Sequence, residues 1–122
     1  MLNYEPIVEL ISVWAPSVRY RVERMSFGRR LELTRQVRQL LARQEFHAAG
    51  ESPLDRVEAS ALSMEIDQLY LRWGLISIEG LAIGGEAATP ETLMNQGPEP
   101  LVQEIVSAIK NECGLTEEAR KN

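Results

Sequence analysis

Residues 7–14, Ile-Val-Glu-Leu-Ile-Ser-Val-Trp, are rich in β-branched and aromatic types, and this pattern predicts a strand. Ala15-Pro16-Ser17 breaks the run. From 18 to 25 the chain alternates: Val18, Tyr20 and Val22 point one way, and Arg19, Arg21 and Glu23 the other. A period of two is what a strand with one buried face requires. The pair is expected to form a β-hairpin with a three-residue connection, too small to stand without something to lie on.

A helical period follows. Ser26 is placed to cap a helix over 29–47, in which Leu33, Val37, Leu40 and Leu41 recur at helical spacing among arginines. Ser52-Pro53-Leu54-Asp55 has the cap, first-turn proline and early acid of a second helix start. Leu62, Ile66, Leu69, Tyr70 and Trp73 make its main apolar face, joined by Leu54, Val57 and Ala61, and Gly74 is expected to supply a left-handed stop. A short loop between two such helices predicts an antiparallel hairpin.

Beyond Gly74 the pattern returns to short extended runs. Ile76, Ile78, Leu81 and Ile83 precede Gly84-Gly85, a favoured two-residue turn, so a second small hairpin is expected. Thr89-Pro90-Glu91 opens a short helix stopped by Gly97-Pro98. A last helix carries Leu101, Val102, Ile105, Val106, Ile109 and Cys113 as one stripe, with Gly114 and Leu115 placed for a Schellman ending and a tail after them. The expected fold class is α+β: about four α-helices, an N-terminal β-hairpin and a second short β-hairpin. One domain is expected over 1–122, divided into a β-hairpin (1–25), a helical hairpin (26–74), a short hairpin with C-terminal helices (75–114) and a tail (115–122).

Composition adds the compartment. Apolar content of 44% and charged content of 25% are ordinary for a water-soluble domain. No apolar run is long enough for a bilayer and no secretory pattern opens the chain, so a cytoplasmic protein with no membrane partner is expected. The net charge of −5 is unevenly spread: residues 1–50 hold eight arginines against five acids, while 51–122 hold thirteen acids against five bases. Such asymmetry suits head-to-tail association of like molecules, a homo-oligomer, or docking of a charged partner. The acidic half argues against nucleic acid.

Candidate chemistry is sparse. Cys113 and His47 are each the only one of their kind, too few for a structural zinc site. As a nucleophile pair they are undercut by the position of Cys113 on an apolar stripe, where a thiol is usually filler. Gly80, Gly84 and Gly85 lack the strand-to-helix context and the lysine of a phosphate loop. Glu58 and Glu65 share a helix face but read as a solvated flank. No catalytic residue, metal site or cofactor is therefore expected, and the chain is expected not to be an enzyme. The residues with most to offer are those of a binding surface. Trp14, at a strand end beside a proline, fits an exposed anchor as well as a core position. Arg19, Tyr20 and Arg21 on the hairpin are expected partner contacts, as are Leu101, Ile105 and Ile109 on the last helix.

The second half also carries a resemblance. Tyr70-Leu71-Arg72-Trp73-Gly74-Leu75, Ile78-Glu79-Gly80-Leu81-Ala82-Ile83-Gly84-Gly85, Thr89-Pro90-Glu91-Thr92-Leu93, Gly97-Pro98-Glu99-Pro100-Leu101, Glu104-Ile105 and the ending Leu115-Thr116-Glu117-Glu118-Ala119-Arg120-Lys121-Asn122 resemble the tail assembly chaperones of tailed bacteriophages. The opening hairpin and Met25-Ser26-Phe27-Gly28-Arg29-Arg30 are similar to small prophage proteins of this kind. The chain departs from the family at Gly84-Gly85, where a charged residue often stands beside the turn glycine. The resemblance implies binding without chemistry: a chaperone in the bacterial host cytoplasm that coats the helical tape-measure protein before tail-tube subunits polymerise. Many members have a longer frameshifted form that recruits tube protein. The alternatives are a structural virion adaptor or tail-completion protein, and a small regulator that binds nucleic acid through its arginines.

Overall fold

A computed structural model describes residues 1–113, and the expected Gly114–Leu115 ending and tail lie outside them. Nine elements run in the order β1 (Ile7–Ile11), β2 (Arg19–Glu23), α1 (Phe27–Ala48), α2 (Pro53–Gly74), β3 (Leu75–Glu79), β4 (Ala82–Ile83), β5 (Glu86–Ala87), α3 (Pro90–Gln96) and α4 (Glu99–Glu112). The fold class is α+β, with four helices and two small antiparallel sheets among the described residues. Two compact units form: one from Met1–Met25 and the described residues from Leu71 onward, the other from Ser26–Tyr70.

The first unit is built on a three-stranded sheet in the order β1-β2-β3. Its inner rows pair Val8 with Val22 and Leu10 with Tyr20, then Tyr20 with Ile78 and Val22 with Leu75. Leu75 and Ile78 are three residues apart, so a regular strand would send them to opposite faces. A bulge opposite Arg21 and Val22 takes up Ile76 and lets both point inward, leaving Ile76 partly exposed. The third strand is what the N-terminal hairpin lies on, a partner that the short run after Gly74 did not announce. The connection between β1 and β2 is also longer than expected, because pairing stops at Ile11 and resumes at Arg19.

The stripe on α4 closes this core: Leu101, Ile105, Ile109 and Cys113 are at most 1% exposed, and Val106 hardly more. Each such side chain contributes about 1.5–3 kcal/mol by leaving water. Gly74 serves the same packing. Its φ is not positive, so it is no left-handed stop; a Cβ there would come within 2.6 Å of the Ile109 side chain. The second hairpin forms as expected on Gly84-Gly85, with both glycines at positive φ, and α3 starts from a Thr89–Thr92 capping box.

The second unit is a helical hairpin. Ser26 caps α1 by accepting from the Arg29 amide at 3.3 Å. His47 Nδ1 meets Asp55 Oδ1 at 2.9 Å, and Arg43 lies 3.8 Å from Glu58. These two pairs, moving apart in opposite directions along the chain, establish an antiparallel register. The His47 hydrogen bond first, and Ser52 second, hold the Asp55 carboxyl below its usual range. Leu33 and Leu62 are buried, but Leu41, Leu54 and Val57, expected on the inner face, are exposed.

Gly80 provides a direct test of the first unit. Its φ is +81°, and a Cβ would stand 1.9 Å from the Ser17 carbonyl oxygen in the β1–β2 loop. Gly80→Ala is expected to cost about 2–4 kcal/mol in denaturant unfolding, from left-handed strain and backbone overlap together. Gly84→Ala, at φ +61° with nothing near its Cβ, is expected to cost clearly less.

Candidate protein-interaction site

The long β1–β2 connection is held by a single carboxylate. Glu104 sits on α4 three residues after buried Leu101 and next to buried Ile105, so its side chain starts from the inner flank of the helix. Its Oε1 accepts from the Ser12 hydroxyl at 3.1 Å and from the backbone amides of Val13 and Trp14, both at 2.9 Å. Ser12, only 2% exposed, accepts in turn from the Ala15 amide at 3.0 Å. The Ser12 amide donates to the Val18 carbonyl and the Val18 amide to that of Ala15, at 2.9 and 2.8 Å. Charge-assisted bonds of this kind are about twice as strong as neutral ones. The loop is therefore braced from within.

What the brace presents is apolar. Val13 is 87% exposed, Ile11 61% and Trp14 49%. Behind them, on the outer sheet face, Ile11 stands opposite Arg19 and Arg19 opposite Glu79, while Glu9 stands opposite Arg21. Both arginines are exposed and both have acidic cross-strand neighbours, which favours a mixed-charge rim over a continuous basic face.

The expected contact residues therefore separate into two groups. Trp14, Arg19 and Arg21 share this surface. Tyr20 does not: the alternation that exposes its arginine neighbours turns it inward, where it is 4% exposed. Leu101, Ile105 and Ile109 are likewise core, at most 1% exposed within the first unit, and their place as partner contacts is corrected. Sequence reasoning missed Glu104, Val13 and Ile11. The available signal was an acid on the inner flank of an apolar stripe, which demands donors from somewhere.

The phenol of Tyr20 lies against the Glu104 carboxylate, short of a well-aligned hydrogen bond, since Glu104 Oε2 is buried without a partner in bonding geometry. Burial first, and the Glu104 charge second, push the Tyr20 hydroxyl up to about 12. Elsewhere, among the described residues, no three His, Cys, Asp or Glu come together as a metal site, and no helix is long and apolar enough to cross a membrane. His47 is engaged with Asp55, and Cys113 is 1% exposed.

Two outcomes are expected. Glu104→Ala leaves the Val13 and Trp14 amides without their acceptor and should cost about 1.5–3 kcal/mol, with faster hydrogen exchange at those two amides. Glu104→Gln keeps an acceptor oxygen and should lose less. Tyr20 binds its proton more tightly in the folded chain than unfolded, where it ionises near 10, so its contribution is complete below pH 10 and is lost between pH 10 and about 12. Tyr20→Phe should flatten alkaline unfolding curves over that window.

Compared with protein-family models, curated proteins and solved structures, the chain gives no match.

Proposed function

We propose that the chain is a protein-binding assembly factor of the tail-assembly-chaperone kind, which engages the helical tape-measure protein before tail-tube subunits polymerise around it. The observation that carries this reading is the braced loop. Val13 and Trp14 face solvent on a backbone already fixed by Glu104 and Ser12, so binding through them loses little conformational freedom. A rigid aromatic anchor beside an aliphatic one is the kind of surface that takes the apolar face of an amphipathic helix. Arg19, Arg21, Glu9 and Glu79 supply a polar rim suited to the flanks of such a helix. The resemblance of residues 70–122 to tail assembly chaperones supplies the identity of the partner, and a frameshifted form would extend the role to tail-tube protein.

Co-expression with a tagged tape-measure protein of a tailed phage tests the proposal. The expected result is a soluble complex recovered on the tape-measure tag. Trp14→Ala combined with Val13→Ala should lower that recovery at least about tenfold. The same pair should shift unfolding by less than about 1 kcal/mol, since both side chains are exposed. A tape-measure protein that stays insoluble and unbound would sink the proposal. Recovery of the chain in mature particles at fixed copy number would replace it with an adaptor role, and binding to DNA or RNA that falls steeply with salt would replace it with the regulator.

A further inference from the structure

The helical hairpin has more apolar surface than it hides. Between Leu33 and Leu62 no residue is buried, although α1 and α2 are each 22 residues, about 33 Å long. Helices of this kind derive most of their stability from packing an apolar face, and this arm packs little of what it carries.

The exposed residues are not scattered. On α2, Leu54, Val57, Ala61 and Met64 follow the three-four spacing of a helix-pairing seam, and Leu54, Val57 and Met64 are 81%, 67% and 60% exposed. Exposed Glu65 borders this seam, as does Glu58. On α1, Phe27, Leu31 and Leu41 share a second face away from buried Leu33, all of them exposed, with Arg35 and Arg38 exposed beside them and exposed Phe46 farther round the helix. The charges of the two helices are opposite. α1 holds five arginines against two glutamates, a net +3, and α2 holds four acids against two arginines, a net −2.

We propose that the hairpin is a self-association surface, in which the acid-bordered seam of α2 receives the arginine-bearing outer stripe of α1 from a second copy of this chain. Charge selects this pairing over the like pairings: α2 against α2 would face Glu65 with Glu65, and α1 against α1 would crowd Arg35 and Arg38. Every copy carries both halves of the contact. Met64 and Val57 meet Leu31 and Leu41 in a helical layer that gives the arm the core it lacks alone. This surface lies in the second unit and owes nothing to the loop at Trp14, so the two proposals stand or fall separately.

Sedimentation velocity on the full chain across a concentration series tests it. The wild type is expected to associate reversibly, and high salt should weaken the association. Glu65→Arg alone and Arg38→Glu alone should each weaken it at least about tenfold, with helix content unchanged by circular dichroism. An equimolar mixture of the two variants should recover mixed association, because the reversed acid site then meets the reversed basic site. A wild type that stays monomeric throughout the series, association untouched by both reversals, or failure of the mixture to associate better than either variant alone would each overturn the proposal.

Discussion

The first unit depends on an acceptor that its sheet cannot provide. A seven-residue connection between two short strands leaves backbone amides that neither strand satisfies, and these need an acceptor from elsewhere. Glu104 meets two of them and a hydroxyl through one oxygen, from a helix that is itself fixed by the burial of Leu101, Ile105 and Ile109. The order of causes runs from hydrophobic stripe to carboxylate to loop. The sheet's inner face anchors the helix, the helix aims the carboxylate, and the carboxylate keeps Val13 and Trp14 in water.

Elements with a strong local period were legible in the sequence. The alternation at 18–23, the cap at Ser26, the helix opening at Thr89, the Gly84-Gly85 turn and the stripe of α4 each state their own geometry, and each appears where the pattern put it. What failed were features set by distant neighbours. β3 pairs with β2 across the whole helical hairpin, and its bulge at Ile76 breaks the alternation by which a strand is recognised. Gly74 looks from sequence like any helix-ending glycine, yet its role comes from Ile109 on another element.

The candidate site shows the same division. Trp14 beside a proline, and arginines on the polar side of an alternating strand, are local facts, and the structure leaves all three side chains exposed. Tyr20 and the α4 residues were misread because apolar character marks interface and core alike, and only tertiary packing distinguishes them. Glu104 carried a signal only as an acid on the inner flank of a stripe, and its donors, some ninety positions earlier in the chain, could not be named from it. The exposed stripes of α1 and α2 were missed for the opposite reason. Leu41, Leu54 and Val57 were assigned inward by their helical spacing, yet all three are exposed.

The discontinuity of the first unit has a consequence for how the chain reaches its native state. Strand β3 must find β2 after residues 24–74 have intervened, and joining the ends of a long segment is slow and entropically unfavourable. The pairs that join α1 to α2 are close in sequence, His47 with Asp55 and Arg43 with Glu58, so each one that forms shortens the loop β3 must close. Substitutions that loosen the antiparallel register at His47–Asp55 would act as kinetic lesions, slowing completion of a sheet to which neither residue belongs.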